Sequence, residues 1–157
     1  MKGRIFVDAD SCPKKIKSII QKAAVKNSME LFFVANRNIP FTTQNPLFFM
    51  QICDGHKDAA DDWIFEQSTK DDLIITRDIL FAKRLVQSGK RAINDRGTRF
   101  DSKNIEEMLE QRELSMQMQS LGLHGGGSFS TFGEKETNAF CKCFESSLKE
   151  IAGLSVN

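Results

Sequence analysis

The chain has no tyrosine and a single tryptophan, against thirteen phenylalanines among its 157 residues. The missing tyrosine removes one common nucleophile and one common general acid from the available chemistry. Neither sign of charge is in excess. The 22 Lys and Arg against 21 Asp and Glu leave a net charge of +1, so no global field announces a nucleic-acid or membrane partner. Any such partner must be met by a local patch. No apolar run reaches the ~18 residues of a membrane span, and the N-terminus passes straight into a strand-like segment. No membrane association and no secretory signal are therefore expected, and the cytoplasm is the default location. Two of the four cysteines, Cys141 and Cys143, lie too close along one helix to bridge comfortably, so Cys12, Cys53, Cys141 and Cys143 fit a reducing compartment. A zinc set built from Cys53, His56, Cys141 and Cys143 would suffer from the poor ligand geometry of Cys-x-Cys within a helix. Internal repeats and low-complexity tracts are also absent.

What is present is an alternation of short apolar runs with amphipathic patterns. Ile5 to Val7, Leu31 to Ala35, Leu47 to Cys53, Leu73 to Ile75 and Ala92-Ile93 read as strands. Between them, Ile16, Ile19, Ile20, Ala23 and Ala24 recur at helical spacing, with Pro13 at the helix start. Asp58 to Gln67 and Ile79 to Gly89 read as two further helices. A long helix spans about Asn104 to Leu121, and a last one carries Phe140, Cys143, Phe144, Leu148 and Ile151, with Thr131 and Glu134 at capping-box spacing. This alternation predicts an α/β fold: a three-layer α/β/α sandwich around a mainly parallel five-stranded sheet. The length suits one domain over residues 1–152, with residues 1–100 as the α/β core and 101–152 as helical cover. The loop 122–133 contains His124-Gly125-Gly126-Gly127-Ser128. It reads either as a plain connection or as a backbone N–H nest for phosphate.

The chemistry concentrates in carboxylates. Ile5-Phe6-Val7-Asp8-Ala9-Asp10 is a strand that ends in two acids, and Leu73-Ile74-Ile75-Thr76-Arg77-Asp78 ends in another. Asp61 and Asp62 flank the Ala60–Trp63 stripe of the helix between them, whereas Asp58 points away from it. Capping of turns and helices would explain one of these acids. If the strands are parallel neighbours, Asp8 and Asp78 meet at one carboxyl edge, where open α/β sheets bind ligands. Clustered carboxylates raise one another's pKa unless a cation sits among them. Mg²⁺ or Mn²⁺ is the natural one, and phosphodiester hydrolysis the natural chemistry. Asp71 and Asp72 are expected in a turn.

Asp61-Asp62-Trp63-Ile64 followed by Thr76-Arg77-Asp78 resembles the second half of a PIN-like nuclease domain. The stretch Asp8-Ala9-Asp10-Ser11-Cys12-Pro13, with Val34-Ala35-Asn36, Asp58 through Asp62, Asn94-Asp95-Arg96-Gly97 and the glycine run, resembles the bacterial YaiI/YqxD family over nearly the whole chain. The resemblance implies a metal-dependent nuclease acting on RNA or another single-stranded nucleic acid. Its metal ligands would be Asp8, Asp61, Asp62 and Asp78, and its catalytic acids Asp8, Asp10, Asp61 and Asp78. The common PIN pattern has an acid after the second strand, where this chain has Asn36, Arg37 and Asn38, and Asp10 is the candidate replacement.

For nucleic-acid contact the candidates are Asn36, Arg37, Arg96 and the Gly125, Gly126 and Gly127 backbone. Lys57, Arg77 and Arg99 are further cations near the same edge, and Phe41, Phe48 and Phe49 are either base-stacking or core residues. Arg96 alternatively pairs with Asp78 or Asp95. Two rival readings remain: a non-catalytic nucleic-acid or protein-binding module on a degenerate nuclease fold, and a haloacid-dehalogenase-like phosphatase with Asp8 as nucleophile. Cys12 is expected as a packed thiol, and His124 is a weak general-base candidate.

Overall fold

The computed structural model describes residues 3–123 and 132–152. Its elements run β1 (Ile5–Asp8), a 3₁₀ turn (Ala9–Ser11), α1 (Lys14–Asn27), β2 (Leu31–Ala35), β3 (Phe48–Ile52) and α2 (Ala59–Gln67). They continue as β4 (Leu73–Ile75), α3 (Ile79–Gln87), β5 (Arg91–Ile93), α4 (Ser102–Ser120) and α5 (Glu134–Ile151). The five strands of the described residues form one sheet in the order β3-β2-β1-β4-β5, every pairing parallel. The chain thus winds outward from β1 to β3, then crosses back past β1 to β4 and β5. The strand order reverses between β1 and β4, and at such a switch point the two crossovers leave a crevice at the carboxyl ends.

Alternation along the strands fills both layers. Ile5, Val7, Leu31, Phe33, Leu73, Ile75 and Ile93 pack with Ile16 and Ile20 of α1 and with Phe140, Phe144 and Leu148 of α5. Phe6, Val34, Ile74 and Ala92 face the other way, against Ile64 of α2, Phe81 and Leu85 of α3 and Ile105 of α4. The expected α/β/α sandwich is therefore observed, with the sheet wholly parallel. Period two also fixes where the strand ends aim: Asp8 follows Phe6, and Thr76 follows Ile74, toward the α2–α3 layer.

One expectation, the cap of the last helix, needs correction, and two others gain detail. The last helix is an integral wall of the core, with Phe140 and Phe144 buried and stacked at 5.0 Å between centroids. Its N-terminal carboxylate contact is Glu136 accepting from Gly133 N at 2.9 Å, further along the chain than the expected Thr131–Glu134 pair; Thr131 lies outside the described residues. Asp72 lies in the expected turn, its backbone N–H donating to Thr69 O at 3.1 Å. It is buried, accepting from Arg4 N (2.8 Å), the Arg4 guanidinium (2.9 Å) and Thr69 N (2.8 Å), and it ties the start of β1 to the start of β4. No described helix is long and apolar enough to cross a membrane.

Removing one partner of a buried charge pair strands the other, so Asp72→Ala should lose about 3 kcal/mol. That lowers Tm by roughly 6–12 °C in a domain of this size. Asp71→Ala, at an exposed position, should shift it by no more than about 2 °C. Thermal melts of the two variants check this, and equal melting would remove Asp72 from the account of the fold.

Candidate functional site

β1 and β4 deliver Asp8 and Asp78 to the same edge, and the buried Thr76 connects them. Its hydroxyl donates to Asp8 Oδ2 at 3.2 Å and accepts from Asp78 N at 3.1 Å. The Asp8 carboxylate caps nothing: the following 3₁₀ turn has no side-chain cap bond, and neither has α1 behind Pro13. Capping therefore does not account for Asp8. It does account for one oxygen of Asp78, whose Oδ1 accepts from Leu80 N at 3.0 Å and Phe81 N at 3.2 Å and so starts α3. Neither cap bond engages Oδ2.

The first turn of α2 brings Asp61 and Asp62 to the same place. Asp62 is held by Arg84 of α3 at 2.7 Å, with His56 at 3.8 Å. Asp61 has no hydrogen-bonding or ion-pairing partner among the described residues. Asp58, at the N-cap position of α2, makes no side-chain cap bond. Asp58, Asp61, Asp62 and Asp78 share a cleft of about 320 Å³ with Lys57, Arg84 and Arg112.

The electrostatics follow from this crowding. Burial pushes the Asp8 carboxyl up to about 6; the Thr76 hydroxyl works against the rise, and the charges of Asp10 and Asp78 add to it. Burial likewise pushes Asp61 up to about 7, with Asp8, Asp78, Asp58 and Asp62 all contributing. The predicted acids are thus electrostatic neighbours. Among the described residues, however, no three His, Cys, Asp or Glu side chains stand in the geometry of a metal-ligand set. The donors that do assemble are carboxylate and hydroxyl oxygens, the type a hard divalent cation takes.

Asp10 turns outward from this group. It accepts from Asn36 N at 3.0 Å and from Arg37 Nε at 3.3 Å, so Asn36 and Arg37, exposed beyond β2, are drawn to the same edge. Arg96 stands in the loop after β5 with its guanidinium 5.5 Å from the Phe132 ring centroid. That loop is built by Asn94, whose Oδ1 accepts from Arg96 N and Thr98 N. Gly97 completes it at φ +87°, pressed against the Ala139 backbone where no side chain fits. The Gly125, Gly126 and Gly127 backbone and His124 lie outside the described residues.

Two candidate substrate cations have structural duties instead. Arg77 is bonded to buried Asp95 at 2.7 Å, and Arg99 is paired with Glu150 of α5. Cys12 is the packed thiol expected, with burial pushing its pKa up to about 12. Phe48 packs against the core and Phe49 stacks on Phe32 at 4.9 Å. Arg84 and Arg112 join the site without any signal in the sequence. Arg84 pairs with Asp62 across 22 residues and Arg112 comes from α4, and nothing local marks either contact.

Residues 6–150 match the family described as "Uncharacterized BCR, YaiI/YqxD family". The chain is 40% identical over 145 residues to a UPF0178 protein of Treponema denticola, covering 92% of this chain and 91% of that one. It is 38% identical over 137 residues to a UPF0178 protein of Pseudoalteromonas atlantica, covering 87% and 92%. No solved structure matches.

The folded pKa values of Asp8 and Asp61 lie above the ~3.9 of an unfolded aspartate. Their contribution to stability is therefore full below about pH 4 and is lost as pH rises through 6 and 7. Asp8→Asn and Asp61→Asn should each raise the apo Tm at pH 8 by a few degrees, on the order of 1 kcal/mol. The gain should fade by about pH 4, where the wild-type acids are already protonated. Melts in chelator at both pH values decide it, and lower melting of both variants at pH 8 would mean that the acids support the fold.

Proposed function

We propose that this chain, which belongs to the YaiI/YqxD family, is a metal-dependent nuclease that hydrolyses phosphodiester bonds in RNA or another single-stranded nucleic acid. The observation that carries the reading is the gathering of Asp8, Asp61 and Asp78 at the switch point of a parallel sheet, where the Asp78 charge opposes ionisation of Asp8 and the charges of Asp8 and Asp78 oppose that of Asp61. Evolved folds seldom keep such mutual repulsion without a use for it, and perturbed carboxyls in a cleft point to a functional site.

Mg²⁺ or Mn²⁺, when bound, supplies a water of lowered pKa and offsets charge on the phosphate. The residues that would hold it are Asp8, Asp61 and the Oδ2 atom of Asp78, with Asp62 beside them. Thr76 keeps Asp8 Oδ2 oriented through its hydroxyl. Burial and the neighbouring carboxylates push the Asp61 carboxyl up to about 7, so a cation held there would compete with its proton. Asp10 acts at one remove, fixing Asn36 N and the Arg37 guanidinium on the side from which a strand would approach.

The expected outcome is cleavage of a quenched fluorescent single-stranded RNA with millimolar Mn²⁺. Asp8→Asn should reduce it by on the order of 100-fold or more. Mn²⁺ affinity should rise from pH 6 to pH 8 as the carboxyls lose their protons. Mn²⁺ binding without cleavage would reassign the chain as a non-catalytic binding module. Turnover of a small phosphomonoester in place of RNA would reassign it as a phosphatase.

A further inference from the structure

We propose that the cavity between α1 and the β2–β3 connection is a subsite for one nucleotide of the strand, separate from the acidic cleft. It encloses about 400 Å³, within the range of sites that take small organic ligands. Three cations, Lys14, Lys17 and Arg37, line it, and no acid among the described residues does. Lys14 and Lys17 also have no ion-pair partner among the described residues, whereas Arg4, Arg77, Arg84, Arg91 and Arg99 are all paired. Lys14 and Lys17, one helical turn apart, repel each other and favour an anion beside them, and Arg37, paired with Asp10, lines the same cavity. A bare phosphate would leave much of the cavity unused, because Phe33, Ile39 and Pro40 also line it. A phosphate joined to a flat ring uses both kinds of lining, and the Asn38 amide, which also lines the cavity, offers a donor and an acceptor for a base edge.

The cavity is built in advance of any ligand. Gln21 is buried in α1, and its Oε1 accepts from Thr42 N (3.0 Å), Thr43 N (3.1 Å) and Thr42 Oγ1 (3.3 Å). That side chain pins the β2–β3 connection over the helix and sets the width of the opening. Arg37 stands on the boundary between the two sites, since it lines this cavity while its Nε donates to Asp10. A nucleotide seated here would direct its neighbouring phosphodiester past Arg37 toward Asp8. The inference rests on the nuclease reading for its choice of a nucleic-acid strand, but its test requires no cleavage.

The test titrates the full chain, in chelator, with UMP, AMP, inorganic phosphate and a short labelled single-stranded RNA. Nucleoside monophosphates should bind at least tenfold more tightly than inorganic phosphate. The Lys14→Ala/Lys17→Ala double variant should weaken RNA binding at least tenfold and flatten the log–log salt dependence by about 0.7, the share of the one phosphate that is no longer neutralised. Asn38→Ala should weaken mononucleotide binding and leave phosphate binding unchanged. Equal affinity for phosphate and UMP, RNA binding indifferent to the lysines, or binding of mononucleotides with exclusion of the strand would each overturn the subsite. Mn²⁺-dependent cleavage insensitive to Lys14 and Lys17 would sink the subsite and leave the nuclease reading intact. Lysine-dependent RNA binding without cleavage would do the opposite.

Discussion

The buried Thr76 hydroxyl holds together the point on which the site depends. β1 and β4 are neighbours in the sheet but far apart in the chain, and beyond their last paired residues no ladder bond keeps their ends in register. Thr76 supplies that link by donating to Asp8 and accepting from Asp78 N. Because Asp78 also starts α3, the same few atoms set the end of one strand, the end of its neighbour and the first turn of a helix. The carboxylates are then crowded by the fold itself. Asp8 has no freedom to retreat into solvent without breaking the Thr76 bond, and Asp61 sits one turn before the buried Ile64, which anchors α2 to the sheet.

Residues 1–100 make their strands readable because a parallel sheet buried on both faces needs short, nearly continuous apolar runs, and these have them. The same rule makes the acids conspicuous: Asp8 and Asp78 stop such runs abruptly. Strand parity further places Asp8 and Thr76 on the α2 side, where Asp61 waits. The neighbours of the acids are a different matter. Arg84 reaches Asp62 across 22 residues, Arg77 reaches Asp95 across 18 and Arg4 reaches Asp72 across 68. No periodicity encodes such pairs, because a charged residue on a loop or helix margin looks the same whether it meets solvent or a partner. Asp72 is the clearest case: its local surroundings spell a turn, and only the approach of Arg4 explains its burial.

Gln21 illustrates a second limit. Within α1 it falls in a stretch rich in lysine, and polarity alone would turn it to solvent. Its amide is buried instead because the β2–β3 connection folds back over α1 and needs an acceptor for consecutive backbone N–H groups at Thr42 and Thr43. A buried amide with that many partners is a fixed strut. The sequence pattern of a helix records which face is apolar, and it carries no sign of which loop will later cover a polar position.

The near-zero net charge conceals a separation of charge along one edge. Acids gather on the α2 side of β1, and unpaired lysines gather on the α1 side of β2, with the Asp10–Arg37 pair between them. Charges of opposite sign at this separation attract weakly across solvent, so the arrangement does little for stability. It does distinguish two neighbouring positions along an extended anionic ligand. A phosphate is favoured where the lysines stand and disfavoured beside the bare carboxylates until a cation is present. A strand would therefore dock first by its held nucleotide and approach the acids only as their charge is offset. Binding and reaction would then depend on different residues, with Arg37 lining the cavity and paired with Asp10, two residues along the chain from Asp8.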